Sequence, residues 1–110
     1  MENEILKKSP GCIGVIAVFM YEAYATCMLV YAVCMNQDAP IAIPLTLLAM
    51  ILIIGPLTGG HVNPAVSIGT FIQHIDKFGS NILWLLIMVC GQICGGLLGT
   101  AAFLMTTAQK

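Results

Sequence analysis

Residues 58–67 read Thr-Gly-Gly-His-Val-Asn-Pro-Ala-Val-Ser, a polar, glycine-rich stretch that lies between long apolar runs. Asn63 followed by Pro64 predicts the start of a helix, because asparagine caps free N–H groups and proline has no N–H to leave unpaired at the first helical position. The paired glycines predict that the chain reverses just before this start. The helix that follows, residues 64–73, has about ten residues and a length of about 15 Å.

Composition places this helix start in a membrane. The chain has 110 residues, of which 59% are hydrophobic and 8% charged, and its mean hydropathy is +0.97. These values lie well outside the range of soluble domains. With no arginine, four lysines and a net charge of -1, the chain has no basic patch for nucleic acid. We expect neither an enzyme nor a bound cofactor or metal, since no nucleophile, metal cluster or phosphate loop stands out.

Three apolar runs predict an all-α membrane protein with three transmembrane helices. The predicted spans are residues 11–35, 41–57 and 81–107. At a rise of about 1.5 Å per residue, the first and third runs exceed a hydrocarbon core of about 30 Å. The second is shorter, but its length still lies within the range of about 17–25 residues seen for membrane-spanning helices. The shorter helix at 64–73 can enter the core but cannot cross it, so it is predicted to be a re-entrant half-helix. A polar N-terminal segment (1–10) and a short C-terminal tail (108–110) flank this region.

Local signals predict where two of the spans end or begin. Gly55-Pro56 is expected to end the second span, because proline removes a hydrogen bond from the interior of a helix. Ser80 or Asn81 can cap the third.

The lysines predict how the chain is oriented. With three crossings, Lys7, Lys8 and Lys77 share one side of the membrane and Lys110 lies alone on the other. The positive-inside rule therefore favours an inside N-terminus for this multi-pass membrane protein.

Three features together resemble the aquaporin and glycerol-facilitator family. They are the pore motif in His61-Val-Asn-Pro-Ala-Val66, Glu22 within the first span, and the glutamine of Gly91-Gln-Ile-Cys-Gly-Gly-Leu-Leu-Gly99 in the third. The resemblance implies that Asn63, Pro64 and Ala65 form the pore-facing start of a half-helix. It also implies that Glu22, His61 and Gln92 support the loop before it.

The resemblance further implies a function and a partner. Members of that family contain two inverted repeats of three spans and one half-helix, and this chain resembles a single repeat. A second aquaporin-like half in the same bilayer, an inverted copy of the chain or another protein, would complete a pore for water or small neutral solutes. The alternative is an aquaporin-derived structural subunit that packs in a larger membrane complex without transporting anything. Val66 stands where an arginine of the selectivity filter usually follows the second motif, which favours the alternative.

Several side chains have two interpretations from the sequence alone. Glu22 is either a proton relay or ion site, or an acceptor for unpaired N–H groups of the loop before Asn63. His61 either binds metal or senses pH, or supports the loop, and Gln92 either supports the loop or binds solute. Cys90 and Cys94 either share a metal or, like the other cysteines, pack as small buried hydrophobic residues.

Two helix faces are also open to interpretation. Gly91, Gly95 and Gly99 form a repeated small-xxx-small pattern, which allows another helix of this chain or of a partner to approach closely. An aliphatic stripe on the second span either lines the pore or packs inside the protein, and consists of Ile43, Leu47, Ile51 and Ile54.

Overall fold

The computed structural model of the protein describes residues 12–108, which form four α-helices and a short 3-10 turn. The helices are α1 (Cys12–Met35), α2 (Ala42–Thr58), α3 (Pro64–Gln73) and α4 (Phe78–Thr107), and the turn is Ile75–Lys77. This part of the chain contains no strand, so the all-α prediction is confirmed for it. The N-terminal segment 1–10, residues 109–110 of the tail, and Lys7, Lys8 and Lys110 of the orientation prediction lie outside the described residues.

Two of these helical stretches have the length and composition of membrane spans. Gly14–Met35 has 22 residues and a mean hydropathy of 1.6, and Ile75–Thr107 has 33 residues and a mean hydropathy of 2.1. The helix α2 is apolar but has 17 residues, which gives a length of about 26 Å against a core of about 30 Å. A third crossing by α2 stays a prediction.

The end of α2 differs from the sequence-based expectation. The helix does not end at Gly55-Pro56 but continues through Pro56 to Thr58. Gly59 then ends it in the left-handed conformation, with a φ of 93°, and its N–H donates to the Gly55 carbonyl at 2.9 Å. Proline removes only its own N–H bond and restricts the residue before it, so the last turn can still close behind it.

The start of α4 also differs. The helix begins at Phe78 rather than at a cap formed by Ser80 or Asn81, and no side chain caps it. The preceding 3-10 turn leads directly into α4, and the Lys77 N–H donates to the His74 carbonyl at 3.0 Å. A 3-10 turn satisfies N–H groups by i to i+3 bonds and so replaces a side-chain cap.

The helices α1 and α4 form the central pair of the fold and run parallel. Gly91, Gly95 and Gly99 lie against the carbonyl oxygens of three α1 residues. These are Phe19, Ala23 and Cys27, in the same order along the chain. Because each step of four residues along α4 matches a step of four along α1, the two helices point in the same direction. The glycine face therefore packs within this chain.

The helices α2 and α3 pack on different members of this pair. α2 packs on α1, and their shared core contains Ala25, Met50 and Ile54 together with Val62 of the following loop. α3 packs on α4, where Phe71 and Phe78 meet edge to face with ring centroids 5.4 Å apart. The loop between α2 and α3 is thus held where the two packing interfaces converge.

Candidate functional site

The start of α3 is built by local hydrogen bonds around Asn63. Asn63 has an extended backbone, with φ −157° and ψ 124°, and its Oδ1 accepts from the Ala65 N–H at 2.8 Å. Pro64 occupies the first turn and has no N–H, and the Ser67 N–H closes the first regular helical bond to the Asn63 carbonyl at 3.1 Å. Of the four N–H groups that a helix start usually leaves unpaired, those of Asn63 and Val66 have no acceptor among the described residues.

The Asn63 side chain presents a donor to its surroundings. Its Oδ1 is committed to the Ala65 N–H, so the amide orientation follows from this cap and leaves the NH2 group facing away from it. Asn63 is exposed, and its NH2 group donates to no described residue. The helix start therefore offers hydrogen-bond donors together with the positive end of the α3 dipole.

Glu22 of α1 is fully buried and accepts four hydrogen bonds. Its Oε1 accepts from the Thr58 hydroxyl at 2.7 Å and from the His61 N–H at 3.2 Å. Its Oε2 accepts from the Val62 N–H at 2.8 Å and from Gln92 Nε2 at 3.1 Å. A carboxylate has about four acceptor positions and no donor, so these groups use its full capacity. The carboxylate thereby ties the loop before Asn63 to α1, α2 and α4.

A second polar contact set connects α4 to α3 through Ser67. Gln92 Nε2 donates to Ser67 Oγ at 2.8 Å, and Ser67 Oγ lies 2.9 Å from Nδ1 of His61. A hydroxyl has one hydrogen and two acceptor positions, so Ser67 can accept from Gln92 and donate to Nδ1 of His61, the one acceptor that the described residues offer its hydrogen. This assignment places the ring proton of a neutral His61 on Nε2, which has no partner among the described residues.

Two members of this network, Thr58 and Ser67, were missed by the sequence reasoning. Thr58 donates to Glu22 and also accepts from the Gly60 N–H at 3.2 Å, and Ser67 joins Gln92 to His61. Both side chains are buried. The sequence contained a signal for both residues, because Thr58 and Ser67 are the first and last residues of the polar stretch 58–67 in an otherwise apolar chain.

The backbone of the loop turns sharply through left-handed conformations. Gly59 and Gly60 have φ values of 93° and 65°, which is where the paired glycines were expected to reverse the chain. A Cβ on Gly60 would lie 3.2 Å from the Cα of Gly55, so the loop also passes close to α2. Val62 is left-handed as well, with φ 55°, which is unusual for a β-branched residue.

Gln92 lies beside Glu22 in the buried network, whereas Cys90 and Cys94 lie on the exposed surface of α4. The Gln92 side chain is 1% exposed, and its Oε1 has no partner among the described residues. Cys90 and Cys94 are exposed on α4, so the expectation that they are buried is wrong within this chain. The α4 face that carries the close contacts is occupied by the three glycines, which turns these cysteines outward.

The aliphatic stripe on α2 divides between two environments. Ile54 is fully buried in the core with Val62, and Leu47 packs against that core. Ile51 is 39% exposed, and Ile43 is half-buried near the start of the helix. One part of the stripe therefore packs inside the chain, and Ile51 faces outward.

Comparison with known proteins gives one informative match. The chain is 36% identical over 85 residues to Nodulin-26 of Glycine max, an aquaporin-family protein, and the match covers 70% of this chain. It supports an aquaporin-like relationship. Together with two helical stretches long and apolar enough to cross a membrane, it supports an integral membrane protein. The aligned region spans 31% of the length of Nodulin-26. No family model matches the chain, and no solved structure matches it significantly.

Proposed function

We propose that this chain is a half-aquaporin subunit that completes a pore for water or small neutral solutes by pairing with a second aquaporin-like half. The observation that carries the proposal is the start of α3. Asn63 caps that helix with its oxygen and presents its NH2 group outward, while the loop before it is held by a buried network centred on Glu22. The relationship to Nodulin-26 supports the same assignment.

The length of α3 supports its placement as a re-entrant half-helix between three crossings. Its ten residues give a length of about 15 Å, which is half of the hydrocarbon core. The following turn contains Asp76 and Lys77, which are exposed and charged. A helix that starts near the midplane and ends at a charged turn leaves the membrane on the side from which it entered.

The chemistry of this start favours neutral solutes. Asn63 Nδ2 and the N–H groups of Asn63 and Val66 are all donors, and they lie at the positive end of a helix dipole. Cations are disfavoured at such a point, whereas water and small alcohols can accept these hydrogen bonds. Val66, which follows the triplet, is 46% exposed and uncharged, so it places no fixed charge beside the motif.

The outer face of α3 supports the need for a second half. Val66, Ile68 and Ile72 are exposed, and Gly69 has open space where a Cβ would be. The free donors at the start of the helix lie on the same uncovered element. In hydrocarbon each unpaired N–H costs several kcal/mol, roughly 2–7 by transfer measurements, so protein or water must cover this end. An inverted copy of the chain or another protein would supply the opposing half-helix.

Solute flux tests the proposal directly. Vesicles that contain the purified assembly should shrink faster than empty vesicles in stopped-flow light scattering after an osmotic step. Asn63→Asp should slow this shrinkage, because a carboxylate can still cap Ala65 but offers no NH2 donor to the solute. Asn36→Asp is the matched control, since it makes the same chemical change at the end of α1 and should leave the rate unchanged.

A rate equal to that of empty vesicles, with Asn63→Asp making no difference, would refute transport. The alternative is a structural subunit in a larger membrane complex, whose other subunits would contact the apolar outer faces of α1 and α4 in place of lipid. These faces include Met20, Tyr24, Leu86 and Leu97. The alternative predicts a native mass in mild detergent far above that of two aquaporin-like halves. A particle with the mass of two halves and a measurable flux would rule it out.

A further inference from the structure

Val62 combines a strained backbone with a buried side chain directly before Asn63. Its φ of 55° lies in the left-handed region, which glycine and asparagine enter readily but β-branched residues avoid. Of the non-glycine residues that the structure describes, it has the only positive φ. Strained backbone of this kind persists where the surroundings hold it in place, and it is concentrated at functional sites.

Two independent contacts hold Val62 in this conformation. Its side chain is 2% exposed and packs in the core formed by Ala25 of α1 with Met50 and Ile54 of α2. Its N–H donates to Oε2 of Glu22 at 2.8 Å. The side chain is therefore fixed to one packing interface and the backbone to the carboxylate, which together leave the residue little freedom.

The Asn63 side chain does not contact the core of α1 and α2. This side chain is exposed and bonds only to Ala65, two residues further along. The two glycines earlier in the loop have no side chains that could pack. Val62 is thus the residue that links the position of Asn63 to the core of α1 and α2.

We propose that Val62 is a positioning residue, whose buried side chain and hydrogen-bonded N–H together set the direction in which Asn63 presents its amide. Its importance for solute passage depends on the function proposed above, but the positioning itself does not. Glycine at this position would adopt the same φ without strain and would lose the buried anchor. Glycine at position 62 suits the left-handed backbone better than valine does, but we expect it to hold Asn63 less firmly.

Backbone dynamics test the proposal without any transport assay. In the assembled protein in detergent, the 15N order parameter of the Asn63 amide should be near 0.85, about the value of rigid backbone. In Val62→Gly it should fall below about 0.6, the range of flexible backbone. Val62→Ile keeps a buried branched side chain and should restore the rigid value.

The controls separate positioning from a general loss of stability. Val18→Ala removes two methyl groups from another fully buried valine, on α1, and should leave Asn63 rigid. Val62→Ala makes the same truncation at the loop and takes the place of the glycine variant if that variant does not fold. An unchanged Asn63 order parameter in whichever of Val62→Gly and Val62→Ala folds, or an equal fall in Val18→Ala, would overturn the proposal.

Flux measurements distinguish this proposal from the function on which its importance rests. If the wild-type protein conducts, Val62→Gly should lose flux while Val18→Ala keeps it, and equal flux in both would count against Val62. If the wild-type protein does not conduct, the function proposed above fails. The order parameters then decide the positioning role alone.

Discussion

Glu22 connects parts of the chain that lie far apart in sequence. The hydroxyl of Thr58, the N–H groups of His61 and Val62, and the amide of Gln92 all donate to its two oxygens. A lone carboxylate in hydrocarbon is costly, about 2.5–3.5 kcal/mol even on insertion scales. The four donors explain how the residue is accommodated. Because donors face both Oε1 and Oε2, a side chain at this position must have two acceptor atoms.

Glu22→Gln should destabilise the protein, because the amide replaces one acceptor oxygen by an NH2 group that faces donors. If the NH2 group takes the place of Oε1, the His61 N–H loses its acceptor. If it takes the place of Oε2, the Val62 N–H loses its acceptor. Each buried donor left unpaired costs about 1–3 kcal/mol. Equilibrium unfolding in mixed detergent micelles, followed by circular dichroism, measures this loss.

Asp76→Asn is the control for that measurement. It makes the same change from carboxylate to amide at an exposed residue of the 3-10 turn, and we expect no change in unfolding free energy. An equal loss in both variants would contradict the role assigned to Glu22.

At the scale of the helices, three glycines determine how closely α4 approaches α1. A Cβ on Gly91 would lie 2.8 Å from the Phe19 carbonyl oxygen, and one on Gly99 would lie 2.6 Å from that of Cys27. Real Cβ contacts essentially never fall below 3.0 Å. This close approach places Gln92 of α4 within hydrogen-bond distance of Glu22 on α1. The packing of two helices thus determines the geometry of the polar network.

Gly95→Ala should lower the stability of the folded protein, because the added Cβ would force α1 and α4 apart. The added Cβ would overlap the carbonyl oxygen of Ala23, and this neighbour is backbone that cannot rotate away. Overpacking of this kind costs about 1–3 kcal/mol. Thermal unfolding in detergent, monitored by circular dichroism, should show a lower midpoint.

The neighbouring glycine provides a matched control. A Cβ on Gly96 would meet only the side chain of Val30 at 3.8 Å, an ordinary contact. Gly96→Ala should therefore keep or slightly raise the midpoint, since alanine is the better helix former. A drop equal to that of Gly95→Ala would show that the close contacts are not the cause.

At the scale of the whole molecule, the parallel arrangement of α1 and α4 determines which connections share an end. The connection between α1 and α2 lies at the end where Tyr31 and Thr106 meet, with their oxygens 3.4 Å apart. The 3-10 turn before α4 lies at the other end, beside the start of α1. In a membrane these two connections should therefore face opposite sides.

Labelling of introduced cysteines tests this arrangement together with the predicted orientation. An impermeant maleimide added to intact cells should label Asp38→Cys, in the first connection, and should not label Asp76→Cys, in the turn. The wild-type chain, which has no cysteine in either connection, gives the background. Labelling of both variants from outside would contradict a crossing by α2, and labelling of Asp76→Cys alone would contradict the inside N-terminus.

Local sequence accounts for the helices and for the start of α3. Long apolar runs favour helices because hydrocarbon cannot pair backbone groups, and the three longest described helices, α1, α2 and α4, fall on those runs. The cap formed by Asn63 and Pro64 could be predicted because it joins residues only two apart. The left-handed glycines before it follow in the same way from the absence of a Cβ.

Tertiary packing accounts for the rest of the site. Glu22 meets Val62 across 40 residues and Gln92 across 70, and Gln92 meets Ser67 across 25. No local pattern specifies such pairs, because they depend on how closely α4 packs against α1 and on where the loop enters the core. The roles of Thr58 and Ser67, the left-handed backbone of Val62 and the outward position of Cys90 and Cys94 all follow from that packing. Asn63 and Pro64 mark where α3 begins, and contacts between residues far apart in sequence determine where the loop before Asn63 lies.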